Sequence, residues 1–222
     1  DTKDVISKVE LTNTITKLLA IVANERGAED AVLYDAVSCL GFPFSISETF
    51  QKRNTNSTIQ ESLARIEEIQ NLCIKNKKQL VVYISMGFGN PYGDVYNEEI
   101  VLQWVDKMVE LDIEVISLAD TVGVATASQV SNVLKAIIPK YKNTTIGVHL
   151  HSSSANWKTK VDAALQAGCK RFDGALKGIG GCPMAKDELT GNMATENLVF
   201  FFDDVQADLH LDRSAFGKGM AM

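Results

Sequence analysis

The chain has 222 residues, 45% of them hydrophobic and 23% charged, with a formal net charge of −6 at pH 7. That is enough apolar material for one sizeable core. The acidic balance and the lack of any Lys/Arg cluster argue against nucleic acid as a partner, and no apolar run is long enough to span a bilayer, which argues against a membrane protein.

The four cysteines, Cys39, Cys73, Cys169 and Cys182, show no C-x-x-C pairing, and Cys73 and Cys169 fall in apolar patterns as buried thiols. No secretory signal pattern is evident. The expected location is a reducing compartment: the cytoplasm, or the mitochondrial matrix in a eukaryote.

In chain order, residues 2–11 read as a helix with no strand before it. Residues 17–23 (KLLAIVA) form an apolar run fit for a buried strand. A helix is expected over 28–39 and a short strand over 42–46. Thr58 and Glu61 make a T-x-x-E capping box. It opens a helix whose apolar positions Ile59, Leu63, Ile66, Ile69 and Cys73 follow the helical period. A strand over 80–85 (LVVYIS), a helix over 98–111 and a strand over 114–118 (EVISL) follow. Thr126 and Gln129 form a second capping box, and the helix they open stops near Pro139. Then come a strand over 145–149, a helix over 157–167 ending at Gly168, a strand over 171–176 and a helix over 196–205.

Near-continuous apolar strands separated by amphipathic helices imply a parallel sheet. Two architectures compete, an open doubly wound sheet and a (β/α)₈ TIM barrel. Ser85, Asp120, the pair His149 and His151, and the glycine-rich stretch 178–182 all lie at the carboxyl ends of successive strands. In a barrel all such ends converge on one site; in an open sheet only a switch point gathers a few. The barrel is therefore expected. About six of its eight units can be counted, so the expectation is a single partial barrel over residues 1–222 whose first two strands are missing.

The chemistry concentrates in three places. His149-Leu150-His151 puts two imidazoles on one face of a strand end, because residues i and i+2 share a face. The pair suits a divalent cation (Mg²⁺, Mn²⁺ or Zn²⁺) together with oxygen ligands, or is simply a polar strand end. Cys182 sits between Gly-Gly and Pro, with little apolar surrounding to fill, and its glycine neighbours would let a loop move over a substrate. Asp120 directly follows an apolar strand. It either caps the next helix or serves as a carboxylate at a barrel strand's carboxyl end.

Taken together, these motifs resemble the 3-hydroxy-3-methylglutaryl-CoA (HMG-CoA) lyases, within a superfamily of metal-dependent lyases and Claisen-type enzymes on a barrel. The resemblance rests on Phe50-Gln51-Lys52-Arg53-Asn54 and Ser57-Thr58-Ile59-Gln60-Glu61-Ser62, then on Ser117-Leu118-Ala119-Asp120-Thr121-Val122-Gly123-Val124 and His149-Leu150-His151. It ends on Gly178-Ile179-Gly180-Gly181-Cys182-Pro183-Met184-Ala185 and Gly191-Asn192-Met193-Ala194-Thr195-Glu196. It runs from about residue 17 to 202, in the family's order and spacing.

The resemblance implies cleavage of HMG-CoA to acetyl-CoA and acetoacetate, a divalent cation (Mg²⁺ or Mn²⁺, with Zn²⁺ as a further candidate), an acyl-CoA partner and a homodimer. It makes His149, His151 and Asn192 metal ligands and Cys182 the loop thiol of proton transfer. Asp120 becomes an active-site carboxylate, and His149 a second proton-transfer candidate. Asn54, Ser117, Thr121, Gly180, Gly181 and Glu196 become substrate-side contacts. Which group is the general base stays open. The family's first strand also carries an Arg-Asp pair and its second a glutamate, and no Arg-Asp dipeptide occurs in this chain. Two other readings remain: a condensing relative of the homocitrate or isopropylmalate synthase type, and a barrel that kept its fold and lost its activity. The Gly-Gly-Cys-Pro loop favours the lyase.

Overall fold

The structure is a computed structural model that describes residues 2–12, 14–181 and 190–221. A short helix, α1 (Thr2–Ile6), precedes β1 (Leu18–Ile21). There follow α2 (Glu25–Val32), β2 (Val37–Ser45), α3 (Glu48–Thr55), α4 (Ile59–Lys75) and β3 (Gln79–Ser85). Next are α5 (Glu98–Glu110), β4 (Val115–Asp120), α6 (Ala127–Ile137), β5 (Thr145–Ser152), α7 (Trp157–Gln166) and β6 (Arg171–Asp173). The chain ends with β7 (Gly191–Asn192), α8 (Thr195–Asp204) and α9 (Arg213–Ala221). Strands β1 to β6 form one parallel sheet in chain order, and β7 pairs antiparallel with the end of β5. This is the curled, in-order sheet of a partial TIM barrel, as expected. Among the described residues β1 and β6 each have a single strand neighbour.

Local chemistry explains most boundaries. Both capping boxes form: Thr58 N donates to Glu61 Oε2 (2.8 Å) and Glu61 N to Thr58 Oγ1 (3.1 Å), and Thr126 with Gln129 repeats the pattern at α6. Helix α2 starts earlier than expected, because the Asn24 side chain accepts from Gly27 N (2.9 Å) and caps it. It also ends earlier. Residues 37–39, expected in that helix, open β2 instead. Almost every residue of β2 is buried, and periodicity alone does not separate such a strand from a buried helix. Strand β5 runs on to Ser152, three residues further than expected, because β7 pairs with its end, His151 with Asn192. Strand β6 stops at Asp173 rather than 176, where a 3₁₀ turn over Leu176–Gly178 begins the next loop. Helices α3 and α9 were not expected.

The two faces of the sheet differ sharply. Outward positions such as Leu40, Phe42 and Phe44 of β2, Ile116 and Leu118 of β4, and Val148 and Leu150 of β5 are at most 2% exposed and pack under the helices. Inward positions are smaller or polar. A Cβ on Gly41 would lie 2.5 Å from Ile21 Cδ1 and 3.0 Å from Tyr83 Cε2, so the barrel interior is already full at that height. The pairing register aligns Tyr83, Ser117, Gly147 and Arg171 on one rung, and Ala119, His149 and Asp173 on the next.

Candidate active site

At the carboxyl ends of these strands the interior opens into a cavity of roughly 1000 Å³. Its walls include Lys17 before β1, Tyr83 and Ser85 of β3, Ala119 and Thr121 at the end of β4, His149 and His151 of β5, and Asp173 of β6. The two imidazoles stand edge to face, with ring centroids 5.4 Å apart. The Nδ1 atom of each is buried and has no hydrogen-bond partner among the described residues. Burial pushes the His151 imidazole down to about 4, helped by the charges of His149 and Lys160. Burial also lowers His149, against the opposing pull of Asp173 and Asn192. Both rings are therefore neutral near pH 7, the form that ligates a metal.

Asp173, which no sequence motif singled out, stands 3.9 Å from His149 Nδ1. Its carboxylate accepts from Ser117 Oγ (2.7 Å) and Arg171 Nη1 (3.2 Å). The signal was present: β6 begins Arg-Phe-Asp, and register brings Asp173 beside His149. Arg171 reaches across Gly147, where a Cβ would lie 3.0 Å from the arginine's Cβ, Cγ and carbonyl oxygen.

Asn192 lies next to this pair. Its backbone pairs with His151, its side chain meets His149, and its Nδ2 donates to Ile179 O (2.9 Å). The glycine loop folds against it. Gly180 has φ +85, and a Cβ there would lie 3.1 Å from Asn192 Nδ2; Gly180 O accepts from Asn192 N (3.3 Å). At Gly181 a Cβ would lie 3.4 Å from Thr190 O. Glu196 sits behind that loop, where its Oε2 accepts from Lys177 N (3.0 Å) and braces it. Cys182 lies outside the described residues.

Several expected contacts are placed elsewhere. Asp120 does not face the cavity. In β4 the odd positions, Ser117 and Ala119, point inward, so Asp120 points out, under α7. There it is 1% exposed and ion-paired with Lys160 at 2.7 Å, while its Oδ1 accepts from Ala125 N (3.0 Å). Burial raises the Asp120 carboxyl and Lys160 opposes that. Ser117 faces inward but is fully buried, with its hydroxyl engaged by Asp173, so it positions that carboxylate instead of meeting a ligand. Asn54 is exposed on α3 and does not line the cavity. Thr121 does line it, and its Oγ1 accepts from Met86 N (3.0 Å).

Two neutral imidazoles, His151 buried and His149 half-buried, each with an Nδ1 that has no partner among the described residues, stand beside the Asn192 amide and the Asp173 carboxylate and are a donor set suited to a divalent cation. The fit is partial: among the described residues no three of His, Cys, Asp and Glu converge in ligand geometry.

Fold and site together define a βα-barrel protein whose polar centre is built at the strands' carboxyl ends. The chain matches the HMGL-like family over residues 1–218 and belongs to it. It is 32% identical to the hydroxymethylglutaryl-CoA lyase YngG of Bacillus subtilis over 96% of this chain and 71% of that protein. To the (R)-citramalyl-CoA lyase of Chloroflexus aurantiacus it is 30% identical over 92% of this chain and 64% of that one. The crystal structure of the Bacillus subtilis HMG-CoA lyase superposes with a TM-score of 0.86 at 32% identity, covering 94% of this chain and 69% of that one. An Acinetobacter baumannii HMG-CoA lyase in complex with coenzyme A and 3-methylmalate superposes at 0.81 with 30% identity, over 94% and 67%. The chain spans little more than half the length of the vertebrate HMG-CoA lyases it matches. No helix among the described residues is long and apolar enough to cross a membrane.

Proposed function

We propose that the protein is a divalent-metal-dependent carbon–carbon lyase that cleaves HMG-CoA to acetyl-CoA and acetoacetate. The observation that carries this reading is the pair of imidazoles on one face of β5, beside Asn192, each with a buried Nδ1 that has no hydrogen-bond partner among the described residues. The HMG-CoA lyases among its relatives support the substrate.

His149, His151 and Asn192 would hold the cation. A bound divalent cation supplies a Lewis acid that lowers the pKa of a substrate hydroxyl and fixes its geometry. The tertiary hydroxyl gives up its proton as the adjacent C–C bond breaks. The electron pair of that bond passes to the thioester fragment as an enolate, and the hydroxyl carbon becomes the ketone of acetoacetate. Asp173, held by Ser117 and Arg171 at 3.9 Å from His149 Nδ1, favours a proton on His149 through its charge and makes that ring a candidate to receive the hydroxyl proton. The thiol of Cys182 is the proposed acid that protonates the enolate carbon to complete acetyl-CoA. Thr121 lines the cavity on the substrate side, and Gly180 and Gly181 would frame the substrate from the loop beside Asn192.

A second reading, cleavage of citramalyl-CoA, has support in the Chloroflexus relative. The test is acetyl-CoA release from each thioester by the purified protein with Mn²⁺ or Mg²⁺. HMG-CoA should turn over, and Cys182→Ser should lose most of the rate. No release from HMG-CoA under either metal would sink the proposal. Release from citramalyl-CoA alone would replace it with the second reading.

A further inference from the structure

We propose that Lys160 is a positioning residue for this site, one buried ammonium that ties the carboxyl ends of β4 and β5 together from behind. The proposal rests on the metal-lyase reading above, and it concerns an ion pair on the opposite face of the strands from the cavity.

Lys160 lies in the first turn of α7 and is 1% exposed. With Val161 and Ala164 it belongs to the buried stripe of that helix, where an apolar residue would be expected. Its Nζ lies 2.7 Å from Asp120 Oδ2, 2.8 Å from His151 O and 3.3 Å from Gly123 O. An ammonium has three protons, and three oxygens take them. Those oxygens belong to the end of β4, the loop after it and the end of β5. Asp120 extends the link through Ala125 N, on the far side of that loop.

The consequence for the cavity follows from strand alternation. Thr121, next to Asp120, lines the cavity. The carbonyl of His151 is held from outside while its imidazole points inward. At this same residue β5 takes up the antiparallel pairing with Asn192. The ammonium therefore sets the peptide plane from which one candidate ligand projects and against which another is paired. Packing alone does not require this arrangement, since buried ion pairs are often replaceable by apolar residues without loss of stability. It is the placement of His151 and Thr121 that the pair explains.

The experiment compares the parent protein with Lys160→Met and with the double variant Lys160→Met/Asp120→Asn, which removes both charges and keeps an acceptor for Ala125 N. Thermal melting reads the fold, and Mn²⁺ titration reads the site. The ¹⁵N signals of the imidazoles, recorded without metal, read the placement of the rings. The double variant should melt within a few degrees of the parent, bind Mn²⁺ about 10–100-fold more weakly and show shifted His151 ring signals. Its kcat for HMG-CoA should fall more than its KM rises. Parent-like Mn²⁺ affinity with unmoved ring signals would overturn the proposal. So would a double variant that does not fold, which would make Lys160 a core residue. If the parent neither binds Mn²⁺ nor cleaves HMG-CoA, the lyase reading fails, and the ring signals alone still decide the role of Lys160.

Discussion

On the outer face of β4 and β5, a buried carboxylate and a buried ammonium satisfy each other and three backbone groups. On the inner face of the same strand ends, two imidazoles each leave a buried Nδ1 without a partner among the described residues. Residues one position apart in sequence, Asp120 and Thr121 or Leu150 and His151, stand on opposite sides of this divide. Leaving a polar atom buried and unpaired costs about 1–3 kcal/mol, so a stable fold retains such atoms where something else uses them. Burial and polarity by themselves do not mark a functional group; satisfaction separates the structural pair from the candidate ligands.

The largest expected effect would test the inner face directly. His151→Ala should abolish cleavage and metal binding yet leave the melting temperature within a few degrees of the parent, because among the described residues the lost ring's Nδ1 has no hydrogen bond to give up. If His151→Ala unfolds like a core variant, the inner face is structural and the contrast collapses. The outer face should behave oppositely. Lys160→Met leaves Asp120 charged and buried without its partner, and should cost about 3–5 kcal/mol in urea unfolding. A cost below about 1 kcal/mol would mean that Asp120 protonates or is hydrated at little expense.

Next in size is Gly147→Ala. The added Cβ would lie 3.0 Å from Arg171 Cβ, Cγ and O, and one of those contacts is backbone that cannot swing aside. About 1–3 kcal/mol of overpacking is expected. Because Arg171 holds Asp173 beside His149, kcat for HMG-CoA should drop as well. A variant that loses stability but keeps its kcat would detach Asp173 from the site.

The fold was legible because its signals are local. The Thr58 and Thr126 capping boxes and the alternation of apolar strands with amphipathic helices all form as read. The ends of β2, β5 and β6 were not legible, since a fully buried strand lacks periodicity and the end of β5 is set by β7, some forty residues away. At the site, His149, His151 and Asn192 come together. Asp173 was missed because β6 is only three residues long, too short to display alternation. For Asp120 the sequence leaves two roles open, and strand parity decides between them: Ser117 and Ala119 inward turn Asp120 outward, where it accepts from Ala125 N just before α6. Lys160 was readable in principle as a charge four residues before Ala164, on the buried stripe of α7. The residues that sequence motifs pick out are those facing the ligand; the residues that hold them in place emerge only once register is known.

The smallest prediction separates a contact that merely stabilises the outer layer from one that reaches the strand ends. Thr126 caps α6 one residue beyond Ala125, the residue whose N–H Asp120 accepts. Thr126→Ala removes the side-chain acceptor for Gln129 N and should cost about 1 kcal/mol, the usual value of an N-cap. Yet it touches neither Lys160 nor a strand end. The Asp120–Ala125 hydrogen bond runs through backbone and carboxylate and survives the change, so turnover and Mn²⁺ affinity should stay at the parent's values. Weakened Mn²⁺ binding in Thr126→Ala would show that the site responds to any loosening of the outer layer. Unchanged binding there, set against weakened binding in the Lys160 variants, confines the coupling to the groups that grip the ends of β4 and β5.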